Sequence, residues 1–269
     1  MTMPDSEAAG SELVLERRDA VLIARLNRPQ ARNALNAPLM RGIGRAVLDA
    51  EANPEIRVLI ITATGDRAFC VGMDLKAFSS GASFAATDER GQAEMDAFMR
   101  LTEGNVRVPI IGAANGTAVG GGFELLLSCD LVVASAAAKF GLPEVKRGLI
   151  AAGGGVVFVG NRIPLALALE LALTGDYIQA DRAQALGLVN TVVPPEEVLD
   201  AALALAGRIA ANGPLAVAAS KEVVRLAAAD PGAAWKRLRE LQPEIFATED
   251  AKEGAMSFIE KRTPQWKGR

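Results

Sequence analysis

Residues 58–63 read VLIITA, an apolar run with no charge and no alternation. A strand with one wet face alternates apolar and polar side chains. An unbroken apolar run fits a strand covered on both faces, as in a parallel sheet flanked by helices. The chain offers the pieces for such a sheet. PIIGAANG at 109–116 is a second apolar run, entering a glycine turn, and LVVASA at 131–136 is a third. Between them GGGFELLLSCD, from Gly120, reads as a turn feeding directly into a helix. Strand, glycine turn and helix repeat with spacing sufficient for crossovers, which predicts an α/β fold.

The flanks add to this frame. LVLE and VLIARL predict a hairpin around Arg18 and Asp19. Asn36 is placed to cap a helix over 37–52, with Pro38 tolerated in its first turn. Residues 64–82 read as loop-rich, and 78–91 as a mobile loop before a helix near 92–104. Helices are expected at about 164–173, 180–186 and 196–212, with a short strand at 188–193. From Gly213 only helices are expected, the last one capped by a box of Asp250 and Glu253. This predicts a core over 12–212 and a helical region over 213–269, preceded by a loose tail. Trp235, Leu238, Leu241, Phe246, Met256 and Phe258 are more apolar surface than an isolated tail needs, so packing on a second subunit is expected.

Composition narrows the chemistry. The chain has 269 residues, half of them hydrophobic, and no histidine. Imidazole-based triads and His-based zinc sites are therefore excluded within this chain. Acid–base work falls to Asp, Glu, Lys, Cys or the one tyrosine, Tyr177. The two cysteines, Cys70 and Cys129, make a poor metal site, so no metal is expected, and without histidine to activate them they read as core residues. A formal net charge of −3 without a basic stripe argues against nucleic acid. The opening MTMPDSEAAGSE is polar and acidic, unlike a signal peptide, and no uncharged apolar run has membrane-spanning length. A soluble cytoplasmic protein without membrane attachment is the expectation.

Two glycine turns and two acids carry the candidate chemistry. AFCVGMDLK at 68–76 and NGTAVGGGFE at 115–124 each place glycine between a strand and a helix. Two such turns brought together aim backbone N–H groups at one oxygen, which suits an enolate or tetrahedral oxyanion. Tight packing alone explains either turn equally well. Glu124 follows Gly120–Gly122 inside the apolar run FELLL, where an acid is costly unless hydrogen-bonded or near water. Glu144 follows Pro143 at the start of a turn. Each reads singly as an ordinary helix-start acid; as a pair around one water they can hold it and move its protons.

The sequence at this point resembles the crotonase superfamily, the enoyl-CoA hydratase/isomerase family. The segments that carry the resemblance are LNRPQARNALN at 26–36, AFCVGMDLKAF at 68–78, IIGAANGTAVGGGFELLLSCDLVVAS at 110–135 and AKFGLPEVKRGLIAAGGG at 138–155. LALTGDYIQADRAQALGLVNTVVP at 171–194 and FATEDAKEGAMSFIEKRTPQW at 246–266 extend it over nearly the whole chain.

The resemblance implies a spiral of ββα units with a C-terminal helical region that assembles trimers, often paired into hexamers. It implies an acyl-CoA substrate, with CoA as the substrate's carrier and no separate cofactor. The thioester oxygen is expected between the amides of Met73 and Gly121. Glu124 and Glu144 are the expected catalytic acids, hydrating a trans-2-enoyl-CoA to a 3-hydroxyacyl-CoA, the step of a carbon–oxygen lyase in fatty-acid β-oxidation. Arg32, Ala34 and Leu35 are expected along CoA, as are Ala68, Val71, Asp74 and Leu75. Arg28 or Arg32 would meet phosphate, and Lys261 would reach it from a neighbouring subunit. The acyl pocket is expected to draw on Phe84, Met95, Phe98 and Phe123, although all four also suit an ordinary core.

Two departures from the family pattern stand out. Met73 replaces a frequent alanine, which keeps the amide and adds a side chain. Ala152 stands where a glycine amide commonly seats the water. Isomerisation, dehydration of a specialised hydroxyacyl-CoA, thioester hydrolysis and binding without catalysis remain the alternatives.

Overall fold

The computed structural model describes residues 11–80, 85, 86 and 88–269. The expected loose tail thus falls mostly outside the described residues, as do Phe84 and part of the expected mobile loop. The elements follow in chain order: β1 Leu13–Arg18, β2 Val21–Leu26, α1 Ala37–Ala52, β3 Val58–Ala63, β4 Ala68–Cys70, α2 Leu75–Ser79 and α3 Glu89–Thr102. Then come β5 Ile110–Ala114, β6 Thr117–Val119, α4 Gly121–Ser128, β7 Leu131–Ser135, β8 Lys139–Gly141 and a 3-10 turn at Pro143–Arg147. The last stretch holds α5 Gly155–Arg162, α6 Leu165–Thr174, β9 Ile178–Gln179, α7 Ala180–Ala185, β10 Thr191–Val193 and α8 Val198–Ala210. Three helices close the chain: α9 Pro214–Ala229, α10 Pro231–Phe246 and α11 Glu249–Glu260.

From β3 to β8 successive strands alternate between two sheets. The larger has the order β1-β2-β3-β5-β7-β10, and the smaller β4-β6-β8-β9. Thus β3 and β4, β5 and β6, and β7 and β8 each give one strand to each sheet before the chain enters a helix. This is the expected ββα spiral. The first hairpin is antiparallel, with Arg18 opposite Val21, and the other strands of the large sheet run parallel.

The apolar run at 58–63 is buried on both faces. Leu59, Ile61 and Ala63 point into the main core, beside Leu22, Ala24 and Leu26 of β2. Val58 and Ile60 point the other way, beside Val21 and Ile23, and meet Val198, Ala202 and Ala206 of α8. The period of two therefore assigns alternate residues of one strand to two separate cores. Thr62, the one polar residue in the run, is satisfied by donating its hydroxyl to Ala113 O at 3.0 Å. Asn36 caps α1 as expected, its side chain accepting from Leu39 N at 3.0 Å.

The last helix corrects an expectation. Its cap is Thr248, whose hydroxyl accepts from Ala251 N at 3.0 Å, and not the box of Asp250 and Glu253. Asp250 lies within the first turn and instead accepts the amides of Lys267 and Gly268 at 2.7 and 2.9 Å. Glu253 takes Gln265 N at 2.7 Å and pairs with Arg262. Both acids fasten the C-terminal residues back onto α11, a long-range use that local spacing does not reveal.

The C-terminal helices are anchored by a half-buried charge cluster. Asp130, just after α4, accepts Ile110 N at 2.7 Å, Arg225 Nε at 2.8 Å and pairs with Lys221 Nζ at 2.7 Å. Arg225 also donates to Ser128 O at 2.8 Å, and Arg162 to Cys129 O at 3.1 Å. Two cations thus meet the carbonyls at the C-terminal end of α4, where the helix dipole favours positive charge. Burial depresses the pKa of Lys221, with Asp130 opposing that shift. No single described helix is long and apolar enough to cross a membrane.

Candidate active site

The site forms where the end of β4 and the start of α4 approach each other. Leu35 donates to Gly72 O at 2.8 Å, and Asp74 donates to Leu35 O at 2.9 Å. These two bonds lock the backbone on either side of Met73 and turn the Met73 amide away from Leu35. Gly120 adopts φ 56°, ψ −134°, a conformation open to glycine, and presents Gly121 as the first residue of α4. A β-carbon at Gly121 would lie 3.7 Å from Met73 N and 3.4 Å from Gly72 Cα. The two amides are therefore close neighbours. Among the described residues neither donates to a protein acceptor, so both are available to one external oxygen.

Glu124 sits in the first turn of α4 and is 5% exposed. Its Oε1 accepts Gly155 N at 2.8 Å. Burial pushes its carboxyl above the ordinary glutamate range; the amides of Gly155 and Gly153 oppose the rise, and the negative charge of Glu144 adds to it. Glu144 lies in the 3-10 turn, close enough that a β-carbon on Gly120 would be 2.9 Å from its Oε1. Its Oε2 is buried without a hydrogen-bond partner among the described residues. Burial raises this carboxyl too, against its own backbone N–H and Arg147. Two carboxyls that favour protonation more than usual thus converge beside the paired amides.

Other residues singled out in the sequence fall in different places. Ala34 and Leu35 are buried at the backbone crossing beside Met73, and Ala68 is buried at the start of β4, its carbonyl accepting from Asn33 Nδ2 at 3.0 Å. Val71 is half-buried, and Leu75 is exposed. Arg28 is largely enclosed: it donates to Ala34 O and to Asp74 Oδ2 at 3.1 Å and pairs with Glu12 at 3.0 Å. It ties the first strand to both segments of the crossing. Asp74 accepts the amides of Lys76 and Ala77 at 3.2 Å, and the Ala77 bond leads the causes that lower its pKa. Arg32 and Lys261 are exposed, both in the left-handed region, at φ 50° and 55°. Phe98 and Phe123 lie in the main core, Phe123 against Phe140 with ring centres 5.4 Å apart, and Met95 packs on that core from its edge. Phe84 lies outside the described residues.

Ala152, whose amide is expected to seat the water, is exposed, and the backbone that meets Glu124 lies just beyond it. It is that of Gly153 and Gly155. A β-carbon at Gly155 would lie 2.8 Å from Glu124 Cγ and 3.0 Å from its Oε1. The glycine run itself was the available signal; the register of the turn was not. Cys70 and Cys129 are fully buried, and burial pushes both thiols up to about 12, which removes them as nucleophiles. Among the described residues no group of three or more Cys, Asp or Glu side chains is arranged to hold a metal ion.

Residues 16–269 match the family model described as Enoyl-CoA hydratase/isomerase. A carnitinyl-CoA dehydratase of Proteus mirabilis is 40% identical over 265 residues, covering 96% of this chain and 98% of that protein. Enoyl-CoA hydratase EchA19 of Mycobacterium tuberculosis is also 40% identical, over 268 residues, covering 97% and 98%. The crystal structure of an enoyl-CoA hydratase from Mycobacterium tuberculosis H37Rv superposes with a TM-score of 0.87 at 44% identity, covering 96% of this chain and all of that one. Match, identity and coverage agree with the spiral: the chain belongs to the enoyl-CoA hydratase/isomerase family, the crotonase superfamily.

Proposed function

We propose that this protein adds water across the double bond of a trans-2-enoyl-CoA to give a 3-hydroxyacyl-CoA. The observation that carries the reading is the convergence of the buried Glu124 and the half-buried Glu144, whose Oε2 is enclosed, on the paired free amides of Met73 and Gly121. The thioester oxygen accepts from both amides, and the negative charge that grows on it as the β-carbon is attacked is stabilised there. The water oxygen bonds to the β-carbon. Glu144 takes the water's proton and delivers a proton to the α-carbon, while Glu124, fixed by Gly155, orients the water. Water adds as a whole, so no redox partner is needed.

CoA lies along residues 32–35 and 68–75, over the crossing of Leu35 and Met73. Arg32 is the cation for phosphate on this chain, since Arg28 is held by Asp74 and Glu12; Lys261 of a neighbouring copy supplies a second. Residues 213–269 form the assembly region. Phe258, Ile259, Phe246 and Trp235 are 85%, 72%, 70% and 62% exposed, more apolar surface than a lone subunit leaves in water.

A second reading rests on the relatives named carnitinyl-CoA dehydratase. It uses the same acids and amides in the reverse direction, removing water from a substituted 3-hydroxyacyl-CoA.

The test is incubation with crotonyl-CoA and identification of the product by mass, beside Glu124→Gln and Glu144→Gln. Gain of one water on the intact thioester, lost in both variants, is expected. No hydration of crotonyl-CoA or longer enoyl-CoAs by assembled protein, with turnover of carnitinyl-CoA, moves the assignment to the second reading. Release of free CoA thiol would overturn both.

A further inference from the structure

The turn that carries Glu144 is braced from outside by the loop between α6 and β9. Gly175 ends α6 with φ 65°, and its amide reaches Leu171 O at 3.2 Å. A β-carbon on Gly175 would lie 3.2 Å from each of Pro143 Cα, Val145 Cγ2 and Lys146 Cε. Tyr177 follows two residues later and fills the space beside Gly141: a β-carbon there would be 2.6 Å from Tyr177 Cδ1. β9 then pairs antiparallel with β8, Ile178 opposite Phe140. Gly141 in turn accepts Gly120 N at 2.9 Å through its carbonyl. One short segment therefore holds the strand that leads into Glu144, and that strand holds the turn that presents Gly121.

The brace matters because the Glu144 carboxyl has little else to fix it. Its Oε2 has no hydrogen-bond partner among the described residues, so its place is set by the backbone beneath it. An ion pair also spans the contact, Lys146 Nζ to Asp176 Oδ1 at 2.6 Å, but its side chains are 50% and 74% exposed. Solvent screens such a pair, which leaves Gly175 against the turn and the Tyr177 ring against Gly141, in the strand before it, to hold this stretch.

We propose that Tyr177, its half-exposed ring packed on Gly141 at the end of β8 while Gly175 abuts the 143–147 turn, is a positioning residue for Glu144, holding the strand that leads into that turn so that the carboxyl faces the Gly120–Gly121 amide turn. This rests on the reading of Glu144 as the acid–base group. Glu124 from α4 and Arg147 from its own turn are the charged groups that face Glu144, and the brace presents Asp176, which pairs with Lys146 of the turn. The Tyr177 hydroxyl makes no hydrogen bond among the described residues, so the ring is the part that acts.

The experiment compares Tyr177→Ala with Tyr177→Phe, each checked for wild-type assembly. Tyr177→Ala is expected to lower kcat roughly 10- to 100-fold with KM within about twofold, the scale of a carboxyl displaced by about an ångström. Tyr177→Phe is expected to match wild type. Water entering the loosened turn relieves the burial that raises Glu144, so the acid limb of the rate profile moves to lower pH in the Ala variant alone. A readout independent of turnover is the titration of 13C-labelled glutamate carboxyls, with Glu144 assigned by Glu144→Gln. Its midpoint is expected to fall in Tyr177→Ala and to stay in Tyr177→Phe. An unmoved midpoint in assembled Tyr177→Ala overturns the proposal, whatever reaction the protein catalyses. A moved midpoint in a protein that hydrates nothing overturns the hydratase reading and leaves the brace standing. Where Tyr177→Ala does not fold, Tyr177→Leu takes its place: a lowered midpoint supports the brace and an unmoved one overturns it.

Discussion

The Gly155 amide donates to Glu124 Oε1 at 2.8 Å across a gap that has no room for another carbon. Loop and helix meet there as backbone against carboxyl. Gly155→Ala is expected to force the Glu124 side chain aside, since its β-carbon would sit 2.8 Å from Glu124 Cγ. Overpacking of this kind costs about 1–3 kcal/mol. The larger effect should be on rate, with kcat falling roughly 100-fold as the acid leaves its place. Thermal unfolding and steady-state kinetics check the two parts. Wild-type kcat in the variant would mean that Glu124 is not held by this loop in the working enzyme.

Glu124 costs stability for the sake of its site. Burial raises its folded-state pKa above the ordinary 4.5. The sign follows from linkage: the unfolded chain releases this proton more readily, so the folded state loses stability as pH rises from 4.5 through the folded pKa, and that loss persists above it. Glu124→Gln keeps an oxygen for Gly155 and carries no charge. It is expected to melt higher than wild type at neutral pH, with the advantage vanishing below 4.5, while activity falls roughly 10²- to 10⁴-fold. Melting curves of both proteins across that range decide it. A variant less stable than wild type at about pH 7 would show that the ionised form is the better-held one.

Much of this was legible in the sequence because it depended on local pattern. The hairpin around Arg18 and Asp19, the Asn36 cap and the doubly buried β3 follow from residue type and spacing alone. The second sheet did not. Its strands β4, β6, β8 and β9 are two or three residues long, too short to display a period. Gly155 was hidden for a related reason. The run from Gly153 to Gly155 announces a close approach, but the turn at Gly154, with φ 96°, decides which amide reaches Glu124. The box of Asp250 and Glu253 fails because Asp250 is claimed by Lys267 and Gly268 and Glu253 by Gln265 and Arg262, which only the tertiary structure brings near.

Asp130 joins the C-terminal helices to the helix that bears Glu124. Its carboxylate serves Lys221, Arg225 and the Ile110 amide, and its side chain is 17% exposed. Removing it strands two cations in a poorly solvated place. Asp130→Ala is expected to cost about 3–5 kcal/mol, as breaking one side of a buried pair does. Chemical denaturation measures that loss. Replacing Lys221 by Met in the same background should recover part of it, because one stranded charge is gone. Failure of the double variant to regain any stability would place the cost elsewhere, in the lost Ile110 contact or in packing.

Met73 separates backbone from side chain within one residue. Its amide is locked by the bonds of Gly72 and Asp74 to Leu35, while its side chain is 46% exposed beside the paired amides. Met73→Ala therefore removes thioether bulk and leaves the donor in place. Turnover of crotonyl-CoA is expected to change less than about threefold, because oxyanion stabilisation is untouched. Enoyl-CoAs with branched or longer acyl groups are expected to gain about tenfold or more in kcat/KM relative to crotonyl-CoA, the scale on which a pocket discriminates by a few carbons. The measurement is a set of kcat/KM values for one substrate series on both proteins. An unchanged ratio between short and bulky substrates would remove the Met73 side chain from the acyl wall. A uniform loss on every substrate would instead show that the side chain is needed to hold its own amide in position.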